Sequence, residues 1–325
     1  MTLARRALTA VSGLSVGHWT APGNATGCTV ILAPAGGARA ACAIRGRATG
    51  TREIDALDPR HLVGRVDAVL LTGGSAYGLG AADGVMGWLR ERKRGFPVGP
   101  AGVVPIVPSA VIFDLGLFGP ADRWPTGPDA ARACDAAGAE FAEGSVGAGA
   151  GATVGKVRGP AGAMKGGLGT WAGAAGEVIV SALVVTNAFG DVRDGAGTII
   201  AGARADGGGF VDAIRYLAEG GPPLGRVAGH HTTLAVVATN ARLDRIELAG
   251  LAQAGCDALA RRITPYGSIL DGDVTFALST AAVDAVSPLQ VEALAAEVVP
   301  QALERAVRLA GGTPAIPGLA DGARR

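Results

Sequence analysis

The spacing of apolar and polar residues divides the chain into strand-like and helix-like stretches. Residues 28–32, 40–44 and 66–71 are short apolar runs with glycine or proline nearby, as strands require. Residues 81–94 have helical spacing, with Val85, Met86 and Leu89 on the inward side and Arg90, Glu91, Arg92 and Lys93 in the last turn. The proline-rich stretch 104–108 predicts an extended or edge segment, because proline cannot join a central ladder. A helix is expected over 129–143, with Asp129 at its positive end. Residues 177–187, nearly continuous in valine, isoleucine and leucine, are the strongest strand signal, and a short helix is expected over 210–219. The C-terminal part reads as strand to Asn240, helix over 244–263, strand over 274–280 and a final helix. Ser287, Pro288 and Gln290 form the pattern of a capping box with proline at the first helical position, and Pro300 predicts a kink further along.

One junction departs from this regular alternation. Glu219-Gly220-Gly221-Pro222-Pro223-Leu224-Gly225 breaks any helix or ladder, and Leu234 to Ala238 is the apolar run of a strand buried on both faces. Between them lie His230, His231, Thr232 and Thr233. A threonine hydroxyl at such a junction can attack the peptide bond before it, leaving a new N-terminal threonine that holds a nucleophile and a base, its own α-amine. Thr-Thr is also an ordinary way to open a strand.

Composition narrows the setting. With 325 residues, 49% hydrophobic and 18% charged, the chain predicts a large interior and a modestly charged surface, taken as one domain over 1–325. A net charge of +1 without a basic block argues against nucleic acid or anionic membrane as partner. The 53 glycines have no Gly-X-Y period, which excludes collagen and points to tight turns and close backbone packing. Cys28, Cys42, Cys134 and Cys256 contain no Cys-x-x-Cys pair, so no zinc site, disulfide framework or cofactor is expected, and a reducing compartment fits. Arg5 and Arg6 precede a short apolar run that Ser12, Gly13 and Ser15 interrupt, and no apolar segment approaches the ~20 residues of a membrane helix. The expected location is the cytoplasm.

Several motifs offer chemistry. Gly151-Ala152-Thr153-Val154-Gly155-Lys156 is one residue short of a phosphate-binding loop and has Val157 at the magnesium-binding position, so it reads as a glycine-rich turn. Gly73-Gly74-Ser75-Ala76-Tyr77 nearly matches a hydrolase nucleophile elbow between a strand and a helix, which makes Ser75 a rival nucleophile. Adjacent His230 and His231 face opposite ways in an extended chain and do not suit one metal. Asp271 and Asp273 share a face if their segment is extended, although Asp-Gly is also a common turn. Together with Lys165, Asn187 and a threonine they suffice for amide hydrolysis, with asparagine as oxyanion donor and the charges orienting the amine.

The ordered set of Thr72 to Leu79, Ala81 to Met86, Val104 to Pro108, Gly144 to Gly149, Lys165 to Thr170, Thr186 to Ala188 and Thr232 to Asn240 resembles the self-processing L-aminopeptidase/D-esterase family. That family includes β-peptidyl aminopeptidases and nylon-oligomer hydrolases, and the match spans about Gly13 to Thr280. The resemblance implies an α+β fold, a four-layer αββα sandwich of N-terminal-nucleophile hydrolase type with its own connectivity. It implies a proenzyme cut between His231 and Thr232 into residues 1–231 and 232–325, which stay together and assemble into a homo-oligomer, a tetramer being one option. By the same matching Thr232 is the nucleophile, Lys165 assists it, Asn187 holds the oxyanion, Tyr77 lines the substrate site, and Asp271 and Asp273 position Thr232. The Asp-Gly-Asp form is closer to the nylon-oligomer branch, in which asparagine usually precedes the threonine. Here that residue is His231, which bears on the rate of maturation, since the acyl shift needs only a carbonyl. The expected substrates are small peptides or amides, including amides of β- or ω-amino acids such as 6-aminohexanoate oligomers. An acyltransferase with the same threonine, or an uncut small-molecule binder, is the alternative.

Overall fold

The apolar runs assemble into two sheets that share one interior. The computed structural model describes residues 6–222, 231–284 and 287–324. The strands of the two sheets are β1 (Ser15–Thr20), β2 (Gly27–Leu32), β3 (Ala38–Ile44), β4 (Thr51–Arg52), β5 (Arg65–Val66), β6 (Ala68–Thr72), β7 (Ser109–Val111), β8 (Leu168–Ala175), β9 (Val178–Asn187), β10 (Thr232–Arg242) and β11 (Val274–Asp284). The helices that cover them are α1 (Ala82–Glu91), α2 (Gly127–Asp135), α3 (Arg245–Ala260) and α4 (Pro288–Arg308). One sheet runs β1-β2-β6-β7-β4 and the other β8-β9-β10-β11-β3-β5.

The layering follows from the two-residue repeat of the strands, which sends alternate side chains to opposite faces. Val16, Ile31, Val69 and Leu71 of the first sheet meet Leu183, Val236, Phe276 and Leu278 of the second. The other face of the first sheet, with Val30 and Leu70, packs on Val85 and Leu89 of α1 and Ala130 and Ala133 of α2. The other face of the second sheet, with Val180, Val184 and Val237, packs on Leu251 and Leu259 of α3 and Val299 and Leu303 of α4. The result is the expected four-layer αββα arrangement. Burial on both faces explains why β9 and β10 read as continuous apolar runs rather than alternating ones. Among the described residues no helix is long and apolar enough to cross a membrane.

The elements depart from the sequence pattern at identifiable residues. The run 66–71 is not one strand. Asp67 interrupts it, its N–H donating to Ile106 O and its carboxylate accepting from Ile106 N–H at 2.9 Å. The chain changes sheets there, β5 pairing with β3 and β6 with β2. The helix expected over 129–143 stops at Asp135, and Gly138 then exchanges two backbone hydrogen bonds with Val16. The final helix opens at Pro288 as the pattern predicts, but Ser287 makes no side-chain cap hydrogen bond, and the helix runs through Pro300. Strands β1 and β8, rich in glycine and polar residues, had no apolar run to announce them.

Two glycines of α1 carry opposite consequences. A Cβ on Gly84 would lie 1.8 Å from Gly127 O, so α1 and α2 approach backbone to backbone. A Cβ on Gly87 would meet nothing within 4 Å. Gly87→Ala should stabilise the protein by ~0.5–1 kcal/mol through helix propensity. Gly84→Ala should destabilise it by about 1–3 kcal/mol, because backbone must move. Denaturant midpoints of the two variants, measured side by side, check the opposite signs.

Candidate active site

Thr232 is the first residue of β10, an inner strand of the second sheet flanked by β9 and β11. Antiparallel register places Asn187 of β9 opposite Thr232 and Thr186 opposite Thr233. On the other side β11 runs parallel, and a bridge pairs His231 with Asp271 just before that strand begins. These two registers gather Thr232, Asn187, Asp271 and Asp273, which lie far apart in the chain.

The His231 carbonyl is held from two directions. Gly272 N–H donates to it at 2.7 Å, and Thr232 Oγ1 donates at 2.6 Å. A Cβ on Gly272 would come within 2.8 Å of Thr232 Oγ1 and 2.6 Å of Ala48 O, so this donor can approach only as glycine. His231 and Thr232 are both buried, and the His231 ring packs edge-on against Phe189 with centroids 5.0 Å apart. His230 lies outside the described residues.

The two carboxylates flank this peptide bond. Asp273 accepts Thr233 N–H at 2.5 Å and Gly267 N–H at 2.9 Å. Asp271 accepts Ser268 Oγ at 2.5 Å, Ser268 N–H at 3.1 Å and Phe189 N–H at 3.3 Å. Burial pushes both carboxyls above the usual range, and Asp271 pushes Asp273 further in the same direction.

The lysine that reaches Asn187 is Lys156. Its Nζ donates to Asn187 Oδ1 at 2.8 Å and to Asn187 O at 3.0 Å. Thr153 N–H donates to the same Oδ1 at 3.0 Å, and Asn187 Nδ2 donates to Phe113 O at 3.2 Å, which fixes the amide. Burial lowers Lys156 to about 7 against the opposing pull of Asp271. Lys165, expected to assist the nucleophile, lies close by, paired in register with Thr153. Its Nζ donates to Ala150 O at 2.5 Å and sits 4.3 Å from the centre of the Phe118 ring. Burial lowers it too to about 7, with Asp114 opposing, and burial raises Asp114 to about 6. The reason both lysines come close is a two-strand ribbon in which Thr153 pairs with Lys165 and Val154 with Met164. The stretch 151–156, read as a glycine-rich turn, supplies Thr153 and Val154 to this ribbon and, two residues on, the lysine that bonds Asn187.

Tyr77 is exposed and stacks on Trp124, ring centroids 4.5 Å apart. Its turn is joined to Asp114 by Gly74 N–H, which donates to Asp114 Oδ1 at 2.7 Å. Ser75 in that turn has a left-handed backbone with φ of 52°, as an elbow would. His18 is bonded to Thr29 and Ala142, and His61 accepts Val63 N–H.

Asp114 and Ser268 were not singled out by motif, and Thr153 and Lys156 only as part of the stretch read as a glycine-rich turn. A signal for the lysines does exist in the composition. Of the 29 basic residues only Lys93, Lys156 and Lys165 are lysine, and two of those three are buried here. Arginine cannot deprotonate in a protein, whereas a buried lysine can. In a chain that uses arginine almost everywhere for charge, each lysine is informative.

Comparisons with known proteins identify the family and the fold. The model of peptidase family S58 matches residues 6–311. An uncharacterised aminopeptidase of Mycobacterium tuberculosis is 44% identical over 296 residues, covering 86% of this chain and 83% of that one. A 6-aminohexanoate-oligomer endohydrolase of Agromyces sp. is 34% identical over 284 residues, covering 84% and 74%. Among solved structures, a Burkholderia sp. β-aminopeptidase superposes with a TM-score of 0.71 at 22% identity, covering 99% of this chain and 95% of that one. The L-aminopeptidase D-Ala-esterase/amidase of Ochrobactrum anthropi, a variant of the Ntn-hydrolase fold, superposes with a TM-score of 0.70 at 21% identity, covering 96% and 89%. The sandwich is thus that of the N-terminal-nucleophile hydrolases, and the chain belongs to peptidase family S58 as an amide-bond hydrolase.

Proposed function

We propose that the protein cuts itself between His231 and Thr232 and then uses Thr232 as an N-terminal nucleophile on amides of β- or ω-amino acids. The observation that carries this reading is the His231 carbonyl, gripped by Gly272 N–H and by the Thr232 hydroxyl. Attack of Thr232 Oγ1 on the His231 carbonyl carbon breaks its bond to the Thr232 nitrogen and leaves an ester, which water hydrolyses. The Gly272 N–H is placed to stabilise the oxyanion that develops on that oxygen. Cleavage liberates an α-amine at Thr232, next to two buried carboxylates whose ionised forms burial disfavours. The new ammonium gives them a partner, and its neutral form is the base that takes the hydroxyl proton during attack on a substrate. Asn187, fixed by Lys156 and Thr153, lies across the ladder from Thr232 and can orient the substrate carbonyl.

The carboxylates also bear on the substrate. Asp271 and Asp273 already accept from Ser268, Phe189, Thr233 and Gly267 and must in addition meet the Thr232 ammonium. An α-aminoacyl substrate would bring a second ammonium beside the scissile carbonyl, whereas a β- or ω-amino acyl group holds it farther off. The relative that hydrolyses 6-aminohexanoate oligomers supports the same class. Comparing kcat/KM on a linear 6-aminohexanoate oligomer and on an L-α-aminoacyl p-nitroanilide tests it. The oligomer should be cleaved at least as well, and an untouched oligomer beside a good anilide substrate would refute the assignment.

Intact mass of the purified protein should show two fragments, residues 1–231 and 232–325, while Thr232→Ala should remain one chain. A wild type that stays full-length yet active would refute the mechanism.

Hydrolysis should accelerate from about pH 6 to 9, because the α-amine, with a reference value of ~7.7–8.0, acts only when deprotonated. Lys156, lowered to about 7, loses its proton across the same range. A flat profile would remove the amine from the base role.

Lys156→Ala should lower kcat by roughly a hundredfold or more, the scale of a lost acid–base or electrostatic group. Lys156→Arg should not restore it, since a guanidinium keeps its proton.

A further inference from the structure

A cavity of about 900 Å³ opens where the start of β3, the end of α1 and the start of α3 come together. Six cationic side chains line it, Arg39, Arg65, Arg92, Lys93, Arg94 and Arg245, against two carboxylates, Asp67 and Asp244. The whole chain carries a net charge of only +1, so positive charge is concentrated here and offset elsewhere.

That charge is only partly neutralised from within. Arg39 donates to Leu243 O at 2.7 Å, Arg65 to Gly37 O at 3.0 Å and Arg94 to Ala33 O at 2.5 Å. Arg245 donates to Asp58 O at 2.7 Å and also to His61 O. These carbonyls fix the guanidinium groups without cancelling them. Arg92 pairs loosely with Glu91 and Asp135, at 3.6 and 3.7 Å. The other five cations form no ion pair among the described residues. Asp67 accepts Ile106 N–H at 2.9 Å and faces Arg94, and Asp244 caps α3 through Ile246 and Glu247 N–H, both at 2.8 Å, so two carboxylates stand against six cations and leave a positive surplus. Residues 1–5, 223–230, 285–286 and 325 contain no aspartate or glutamate, so no side chain of those segments can supply the missing negative charge.

We propose that this cavity binds a small molecule bearing two or more phosphate groups. Held guanidinium forks match phosphate oxygens, several at once, and the volume lies within the range of ligand sites and exceeds what one phosphate fills. The site is separate from the hydrolytic centre. Arg245 follows the far end of β10, and that strand extends roughly 33 Å from Thr232 to Arg242 at the usual rise per residue.

The probe is inorganic tripolyphosphate, titrated calorimetrically into the purified protein at ~0.15 M salt, where diffuse surface attraction is screened. Saturable binding of one ligand per chain is expected, with inorganic phosphate at least tenfold weaker. Lys93→Ala, an exposed change, should weaken tripolyphosphate several-fold, and Arg65→Ala with Lys93→Ala at least tenfold, while amide hydrolysis is unaltered. No saturable binding, equal affinity for single phosphate, or binding indifferent to both variants would overturn the proposal.

Discussion

The register of β10 against its two neighbours is the constraint on which the site depends. A one-residue slip in a ladder turns every side chain to the opposite face, so Thr232 meets Asn187 on one side and the Asp271–Asp273 segment on the other only in the observed alignment. The long buried stretch of β10 makes that alignment costly to change, since a slip would swap Val236, packed between the sheets, with Val237, packed under the helices, and disturb both layers. Apolar packing thus positions a polar centre to within hydrogen-bond distance. Gly272 adds the last increment, because the backbone of its segment can reach the His231 carbonyl only without a side chain.

Around that register the protein buries five ionisable groups, Lys156, Lys165, Asp114, Asp271 and Asp273. Carrying Lys156 from its ordinary value of 10.5 to about 7 corresponds to about 5 kcal/mol, comparable with the whole net stability of many domains. An apolar core of the same volume would be more stable. Such a concentration makes sense where protons are exchanged, because groups held near neutrality can change charge with little driving force.

Much of this was legible in the chain, and the parts that were not have physical causes. Strands β2, β3, β9, β10 and β11 were readable because both faces are covered and the apolar signal is continuous. β1 and β8 were not, because Gly17 and Gly169 lie where helix backbone presses on the strand and no side chain fits. Asp67 looked like a polar residue beside a strand and proved to be the point where the chain leaves one sheet for the other. Thr232, Asn187, Asp271 and Asp273 stood out through strand ends and the family resemblance. Lys156 was harder, since its stretch reads as a glycine-rich turn and only the folded chain brings its Nζ to Asn187 beside Lys165.

The central position of β10 has a consequence for a cut at its first residue. The C-terminal piece supplies β10, β11, α3 and α4, which are two inner strands and the entire helical layer over the second sheet. The N-terminal piece holds β8 and β9 on one flank and β3 and β5 on the other. The first sheet lies wholly in the N-terminal piece, but neither piece contains the complete second sheet, so a backbone nick there divides the covalent chain without creating two independent folding units. The severed protein would behave as a split reporter does, each fragment acting as the template for the other, and exchange of fragments between molecules would require global unfolding.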